Sequence, residues 1–372
     1  TKLAVNVPAG QGPALWHMHT SKLTEFCDGN MMAPVPDWVA SQDFLDEHWV
    51  AFKEGAMDCP TGTPGSRHFL PMGTMMPVMY INTQLWEEAG LTEADVPKSW
   101  EELREVAKLL TKYDSADRII QSGLQAGWQE WLQSSIYQQG RYLFTEDGKQ
   151  VQMVNPEYER AVQYIVDLHE VDRVTDPEFP DRQEAFASGQ TAIMMGFSWV
   201  TSVLRRNNPD LEWFAALIPT PDGELPPAYG NIRFAVEAVV NPFAPPEIQE
   251  IAWDFWHFLY SDDERVAKTV ALKNGFIPPY DKLIDRPDVQ EDIVASVVAD
   301  GVEYGVVNDM PNVVRDVIQQ VLLDQVLLAG VPVNQALIEA EEAANDELAQ
   351  REDWNIIERN YKHHDLMIPD QP

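Results

Sequence analysis

The stretch Ala185–Leu204, AFASGQTAIMMGFSWVTSVL, contains the transitions that decide the fold. A short helix capped by Asp181 leads into it, and Gly189 is predicted to end that helix because glycine adopts the left-handed backbone at little cost. The apolar run Ala192–Met195 then predicts a buried strand. A helix followed at once by a buried strand is typical of an α/β protein.

The end of the same stretch places a tryptophan after the strand. Gly196 permits the backbone to turn, Ser198 is predicted to cap a following helix, and Trp199 lies in the first turn of that helix. In open α/β sheets, ligands bind outside the carboxyl ends of the strands, where helix N-termini offer free N–H groups. Trp199 is therefore the first candidate binding residue, and an ordinary core tryptophan is the alternative.

Capping signals mark the longer helices. Ser99 and Glu102 form a capping box before the helix of KSWEELREVAKLL, and Asn155 with Pro156 opens the helix of NPEYERAVQYIVDLHE. The helix in PPEIQEIAWDFWHFLYS is predicted to bury one stripe, which consists of Ile248, Ile251, Ala252, Phe255 and Leu259.

Short apolar runs separate these helices, namely MMPVMYIN, RIIQSGL, TAIMM and RFAVEAVV. Each has the length and the β-branched or aromatic content of a strand. Their alternation with amphipathic helices predicts an α/β architecture with largely parallel sheets.

The composition excludes several classes of function. The 372 residues include 60 Asp and Glu against 26 Lys and Arg, which gives a formal net charge of −34. Such a charge repels the phosphates of nucleic acids and disfavours anionic membrane surfaces. The acids are spread along the chain, which predicts a solvated surface suited to high salt. No motif of a serine hydrolase, zinc protease or P-loop nucleotidase occurs.

The cysteines, the histidines and the apolar runs place few constraints on the function of the protein. Cys27 and Cys59 leave a disulfide and two free thiols equally open. His17 and His19 lie two residues apart without a third ligand nearby, so no metal site is predicted. No run of about 18 apolar residues predicts a membrane span, and TKLAVNVPAG is not expected to be a signal segment.

Three blocks of the chain carry a family resemblance. The segment Pro77–Asp114 contains a strand ending in Y-x-N, a helix ending in E-A-G-L, and the block P-x-[TS]-W-x-E-L. The opening stretch contains A-F-x-x-G-x-[TA]-A-[MI], and the later segment SDDERVAKTVALKNGFIPP contains S-D-[DE] and N-G-[YF]-[IL]-P. In this order, the blocks resemble the extracytoplasmic solute-binding proteins of ABC importers, in their maltose-binding-like cluster.

The resemblance implies an α/β, two-lobe, periplasmic-binding-protein-like fold (type II) that closes on a ligand. The implied N-lobe comprises residues 1–115 plus 240–286, the C-lobe residues 116–239 plus 287–350, and residues 351–372 form a C-terminal tail. PAGQGPALWHMH resembles the family's second βα unit. The first βα unit of the N-lobe is therefore expected to be missing from this chain.

The resemblance also implies a function. It implies the substrate-binding component of an ABC importer, which captures a mono- or oligosaccharide outside the cytoplasm. A permease and an ATPase are the implied partners, no cofactor or catalysis is implied, and a monomer is expected. Two alternatives stay open: a glycerol-3-phosphate- or polyol-binding importer component, and a module that presents its ligand to a sensor.

Candidate ligand contacts follow from the resemblance. Trp199 offers a flat indole to the C–H face of a sugar ring. Trp128 and Trp131 follow the RIIQSGL strand in a region of aromatic platforms, and the sequence leaves open which of them lines the cleft. Thr74, just before the Y-x-N strand, and Ser198 offer hydroxyl groups as donors and acceptors.

A second set of candidates departs from the family pattern. Tyr229, Gly230 and Arg233 lie in AYGNIRFAVE, and Arg233 is either a fork for ligand oxygens or part of a surface ion pair. DMPNVVR resembles the N-M-P-x-[IV]-R of the glycerol-3-phosphate-binding branch, which makes Arg315 a candidate anion contact. Phe276 replaces a tyrosine of that branch and lacks its hydroxyl, which favours a neutral carbohydrate.

The excess of acidic residues predicts a salt-dependent stability. The melting temperature is expected to rise between low and molar NaCl, because salt screens the repulsion among the carboxylates. A thermal-denaturation series, repeated with KCl to show that ionic strength is responsible, measures the effect. A melting temperature that stays flat across the series would contradict the interpretation.

Overall fold

The computed structural model describes most of the chain. The described residues are 2–18, 22–41, 43–44, 67–307, 310–351, 356, 358 and 367. The strands are β1 (Leu15–Met18), β2 (Leu70–Met75), β3 (Pro77–Asn82), β4 (Lys112–Tyr113), β5 (Ile119–Ala126), β6 (Thr191–Phe197), β7 (Trp213–Ala216), β8 (Gly230–Val240) and β9 (Gly305–Val307).

Helices surround these strands. They are α1 (Lys2–Asn6), α2 (Leu23–Asp28), α3 (Thr83–Glu88), α4 (Trp100–Leu110), α5 (Trp128–Gln138), α6 (Pro156–Glu170), α7 (Arg182–Ala187), α8 (Val200–Asn207), α9 (Pro246–Tyr260), α10 (Pro287–Gln290), α11 (Ala295–Gly301), α12 (Asn312–Val317), α13 (Asp324–Leu327) and α14 (Val333–Ala349). Two segments are π-helical, Arg265–Ala271 and Ile318–Leu323.

The strands form two sheets. In the first sheet β8 lies between β1 and β2, and β9 pairs with the beginning of β8; the second sheet has the order β4-β5-β6-β3-β7. The pairs β5–β6 and β8–β9 are parallel, whereas the other described pairs are antiparallel. The prediction of largely parallel sheets was therefore wrong. β3 runs opposite to its neighbours β6 and β7, and β8 runs opposite to β1 and β2.

The second sheet is covered on both faces, which explains the continuous apolar run in β6. Ile193 and Met195 point into a core built with α4, α5, α6, α12 and α14. Met194, between them, points to the opposite face and packs near Tyr80 and Phe186. Because side chains alternate along a strand, a sheet with helices on both faces has no polar positions to offer.

The chain passes between the two sheets at Met76, between β7 and β8, and again between Leu283 and Val289. Met76 alone separates β2 of the first sheet from β3 of the second. Leu283 belongs to the core on the first sheet, and Val289 packs on the second. Sheet membership thus changes at Met76, earlier than the predicted lobe boundary after residue 115. No linker composition marks this point, since two strands meet there with one residue between them.

The predicted helix starts at Ser99, Asn155 and Asp181 are confirmed. The Ser99 side chain accepts a hydrogen bond from the Glu102 N–H, and the Glu102 side chain bonds back to the Ser99 N–H. Asn155 accepts from the N–H of Tyr158. Asp181 accepts from the first turn of α7, and Gly189, two residues after the end of that helix, has φ at 72° as predicted. These caps are local, so a short stretch of sequence is enough to predict them.

The predicted buried face of α9 was largely wrong. Ile248, Ile251 and Phe255 are 37%, 65% and 45% exposed. Ala252 is buried as predicted, but its buried companions are Trp253, Trp256 and Tyr260. Apolar residues surround most of this helix, so its sequence does not define one stripe. The larger aromatic rings occupy the core because they bury more apolar area.

Some predictions involve residues that lie partly outside the ranges that the structure describes. Cys27 is in a disulfide, whereas Cys59 and His19 lie outside the described residues. Across the described ranges, no helix combines the length and apolar character needed to cross a bilayer. Within the same ranges, no three His, Cys, Asp or Glu side chains gather into a cluster that could hold a metal ion.

Candidate ligand-binding site

The parallel strands β5 and β6 end side by side. Ala126 pairs with Met195 in register, and the Gly127 N–H donates to the Met195 carbonyl at 3.4 Å. Trp128 then begins α5, and Trp199 directly precedes α8. The two tryptophans therefore follow adjacent strands at one edge of the second sheet, where ligands bind in open α/β sheets.

Trp199 lies where the two sheets meet. Its side chain is half-buried and packs on a small apolar cluster made of Met75, Phe197, Ala271 and Phe276. Met75 ends β2 of the first sheet, and Phe197 ends β6 of the second. The indole thus contacts both halves of the molecule and keeps part of its surface open, as a ligand-stacking residue requires.

A glycine allows this close approach. Gly275 has φ at 76°, and a Cβ there would lie 2.5 Å from the Ser198 carbonyl oxygen and 2.9 Å from the Trp199 Cα. Both are backbone atoms, which cannot move aside as a flexible side chain can. The loop after the π-helix Arg265–Ala271 therefore touches the Trp199 segment through a position that only glycine fits.

The buried hydroxyl of Tyr80 also holds the Trp199 segment in place through hydrogen bonds. The Tyr80 hydroxyl lies 3.0 Å from the Phe197 carbonyl oxygen, 3.2 Å from that of Ser198, and 3.2 Å from Thr201 Oγ1. Complete burial raises the pKa of Tyr80 well above its ordinary value, so the hydroxyl stays protonated and can donate to either carbonyl. Tyr80 is the tyrosine of the Y-x-N strand.

Ser198 does not act as the predicted helix cap. Its side chain is fully buried, and its hydroxyl has no hydrogen-bond partner in the part of the chain that the structure describes. Its backbone N–H donates to the Met76 carbonyl at 3.1 Å, and Trp199 occupies the cap position without a side-chain bond. The turn is thus held by backbone contacts to the crossing point between the sheets.

The two tryptophans of α5 have different surroundings. Trp131 is 3% exposed, stacks on Tyr164 with ring centroids 5.1 Å apart, and lies 5.2 Å from the Trp100 ring. It is a core residue and cannot contact a ligand in this structure. Trp128 is half-buried, with its ring 4.9 Å from that of His169. Trp128 therefore stays a candidate, and Trp131 does not.

Thr74 and Phe276 are both buried in this structure. Thr74 is 1% exposed, and its N–H and carbonyl exchange hydrogen bonds of 3.0 Å with Ile277. Phe276 is 7% exposed and packs in the cluster that supports Trp199. Phe276 thus supports the indole, whereas the burial of Thr74 leaves its hydroxyl little access to a ligand, contrary to the predicted role.

Three further candidates lie on or next to β8. Tyr229 is half-buried, meets the Tyr304 ring at 5.6 Å, and accepts a hydrogen bond from Gln138 Nε2 at 3.1 Å. Gly230 begins β8, where a Cβ would lie 2.9 Å from Ser134 Oγ of α5. Arg233 pairs through its backbone with Met75, and its side chain is outside what the structure describes.

Arg315 lies beside the beginning of α5. Its Nη2 is 3.4 Å from Gln129 Oε1, and Gln129 Nε2 donates to the Arg315 carbonyl at 2.5 Å. Gln129 is the neighbour of Trp128 in the sequence. Arg315 is thus close to one candidate tryptophan, and part of its hydrogen-bonding capacity is used within the protein.

The sequence interpretation missed an ion pair at the same edge. Arg182 Nη1 donates to Glu130 Oε2 at 3.1 Å, across the ends of β5 and β6. Arg182 begins α7, and Glu130 is in the first turn of α5. Opposite charges at the starts of two helices that flank parallel strands were the available signal. The sequence does not show that these helices begin side by side.

Comparison with known proteins gives a consistent result. Residues 1–295 match the family described as bacterial extracellular solute-binding protein. The maltotriose-binding protein of Pyrococcus abyssi is 23% identical over 297 residues, which are 78% of this chain and 60% of that protein. The chain therefore spans less than two thirds of that relative's length.

Solved structures share the fold. The maltose/maltodextrin-binding domain MalE of Bdellovibrio bacteriovorus, bound to maltotriose, has a TM-score of 0.76 at 16% identity and covers 94% of this chain and 88% of its own. An ABC transporter solute-binding protein of Thermotoga lettingae, bound to α-D-tagatose, has a TM-score of 0.73 at 22% identity, with 93% and 88% covered. The two-lobe fold predicted from the sequence is confirmed.

The Gly275 contact predicts a selective sensitivity to a methyl group. Gly275→Ala is expected to lower the free energy of unfolding by about 2 kcal/mol or more, because strain at positive φ adds to a backbone clash. Gly189→Ala is the matched control, with a similar φ of 72° and open space around its Cβ. It should cost only about 1 kcal/mol. Equal losses in chemical denaturation would show that the contact is unimportant.

The contacts of the Tyr80 hydroxyl predict a loss of stability when the hydroxyl is removed. Tyr80→Phe keeps the buried ring but leaves the Phe197 and Ser198 carbonyls without this donor. The free energy of unfolding is expected to fall by about 1–3 kcal/mol. Near-ultraviolet circular dichroism should also change, since the Trp199 segment loses its anchor. A variant with unchanged stability and spectrum would refute the anchoring role.

Proposed function

We propose that this chain, which belongs to the family of bacterial extracellular solute-binding proteins, captures a neutral carbohydrate at the Trp199 edge of its second sheet for import into the cell. The observation that carries the proposal is the position of Trp199. Its partly open indole lies at the carboxyl end of a buried strand and contacts both halves of the fold. The sugar ligands of the relative and the two structural neighbours support the same ligand class.

The proposed binding follows from ordinary sugar chemistry. One face of a pyranose ring carries C–H groups, which pack on an indole, and hydroxyl groups around the ring need hydrogen-bonding partners. Trp199 supplies the apolar face. Trp128, Arg315 and the helix starts beside them supply polar and further aromatic contacts. Exclusion of water between the lobes strengthens each of these contacts.

We propose that ligand binding shifts the relative orientation of the two lobes toward a closed one. The lobes are joined at Met76 and along β8, where small backbone rotations change their relative orientation. Helix α5 links the site to this joint, because Trp128 is at its beginning and Ser134 lies against Gly230 of β8. A ligand held at α5 and Trp199 therefore favours one lobe orientation over others.

The glycerol-3-phosphate alternative receives less support. Arg315, its candidate anion contact, is engaged with Gln129, and Phe276 is packed behind Trp199. Phe276 offers no hydroxyl to a phosphate, so Arg315, which keeps its charge beside the neutral Gln129 amide 3.4 Å away, would be the one remaining anion contact of that pattern. A ligand-presenting sensor module would use the same site, so it differs from an importer component only in its partner.

Location and partners follow from the proposed role. A protein that delivers a sugar for import acts outside the cytoplasm and docks on a membrane permease that an ATPase drives. We expect a monomer without a cofactor and without catalytic activity. The strongly acidic surface is compatible with a protein that works in a salty exterior.

Replacement of the central indole tests the proposal. Trp199→Ala is expected to weaken maltotriose binding roughly tenfold or more, since about 1–3 kcal/mol of stacking and burial is lost. Isothermal titration calorimetry measures the dissociation constant. Trp38→Ala is the control, because Trp38 is exposed and its ring meets only His257 of α9 among the described aromatic contacts.

The possible outcomes test the role of Trp199 and the proposed ligand class independently of each other. If wild-type protein binds maltotriose and both variants bind it equally well, Trp199 is not the ligand platform. If wild-type protein binds no sugar in a panel that includes maltotriose, glucose and tagatose, the proposed ligand class is wrong. Chemical denaturation of each variant ensures that only folded protein is compared.

A further inference from the structure

The Arg182–Glu130 ion pair lies at the edge of the second sheet that carries the proposed site. The two side chains are each 19% exposed and are held 3.1 Å apart. Arg182 begins α7, which runs back along β6, and Glu130 lies two residues after Trp128 in α5. The pair thus bridges the helix before β6 and the helix after β5 at their common end.

Two glycines bring the pair onto the strand ends. A Cβ on Gly127 would lie 1.6 Å from Glu130 Oε2 and 1.9 Å from Arg182 Nη1, so any other residue would displace the charged groups. A Cβ on Gly196 would lie 3.9 Å from Arg182 Nε. Gly127 and Gly196 directly follow Ala126 and Met195, which pair in register. The charged groups therefore lie over the backbone between the two tryptophan-bearing turns.

Arg182 has hydrogen-bonding capacity left over. Its Nε is buried and has no hydrogen-bond partner among the residues that the structure describes. A guanidinium has five N–H donors in a planar fork, and the contact with Glu130 uses one edge of that fork. An unsatisfied buried donor costs free energy until an acceptor reaches it. A ligand oxygen would reach the guanidinium through the 19% of the Arg182 side chain that stays exposed.

The charges of the pair restrict what the ligand can be. Glu130 neutralises Arg182, so an anion at this edge would gain little from the guanidinium and would meet the carboxylate of Glu130. The net charge of −34 adds to that repulsion. A sugar hydroxyl, by contrast, can accept from the guanidinium and donate to the carboxylate at the same time.

We propose that Arg182 and Glu130 contact the ligand directly and give the site its preference for uncharged sugars over anionic ones. The proposal rests on the proposed function, because it assigns specificity-determining residues to that same site. Arg182 donates to ligand oxygens, Glu130 accepts from ligand hydroxyls, and Gly127 provides the space that both side chains occupy.

The test compares a neutral sugar with its acidic counterpart. Glucose and glucuronate differ only at C6, and maltotriose serves as a larger neutral probe. Dissociation constants are measured by calorimetry for the full chain and for Glu130→Gln, Arg182→Gln and Arg118→Gln. Arg118 is the control, since it precedes β5 at the opposite edge of the sheet and forms an exposed pair with Asp114.

The proposal predicts a change in preference between the two probes. Wild-type protein should favour glucose over glucuronate. Glu130→Gln leaves the arginine charge uncompensated and should shift the preference toward glucuronate by roughly tenfold. Arg182→Gln should weaken both neutral sugars by roughly tenfold and glucuronate by more, because it removes donors and leaves the carboxylate unpaired. Arg118→Gln should match wild type.

A purely structural ion pair gives a different pattern. If each variant folds and changes the affinity for glucose and glucuronate by the same factor, the specificity role is refuted while carbohydrate capture stands. Preference of the wild type for glucuronate refutes it as well. If the wild type binds none of the probes, the proposed function fails and this assignment fails with it. Denaturation midpoints for every variant exclude misfolding as the cause.

Discussion

The parallel pairing of β5 and β6 is the constraint on which the rest of the structure depends. Parallel strands end at the same edge of a sheet, so the segments after Ala126 and Phe197 must emerge together. One segment begins the helix with Trp128 and Glu130, and the other places Trp199 before its own helix. An antiparallel pair would have sent these two segments to opposite edges, and no shared site could have formed.

The crossing point between the two sheets lies against the turn that carries Trp199. Met76 crosses from one sheet to the other, and its carbonyl accepts from the Ser198 N–H at the base of the Trp199 turn. Gly275 lies against the same turn from the other lobe. The proposed ligand platform and the crossing point are thus one packed unit. A change in lobe orientation and a change around the indole are therefore expected to accompany each other.

Tight packing restricts the hydrogen-bond partners that the polar groups at this edge of the sheet can reach. The Phe197 and Ser198 carbonyls share the Tyr80 hydroxyl, Gln129 is engaged with Arg315, and Glu130 holds Arg182. These contacts join residues distant in sequence. A preorganised edge of this kind costs little ordering entropy when a ligand arrives, which favours affinity for a shape it matches.

The sequence by itself determined the family, the two-lobe α/β class, and the helix caps at Ser99, Asn155 and Asp181. These features depend on spacing over a few residues or on motif order. Only the tertiary structure decided that Trp131 is buried, that α9 turns Ile251 outward, that β3 belongs to the second sheet, and that Arg182 meets Glu130. The physical reason is the same in each case. These outcomes depend on which segments, distant in sequence, pack into the same space in the core, and the local periodicity of a segment does not determine that.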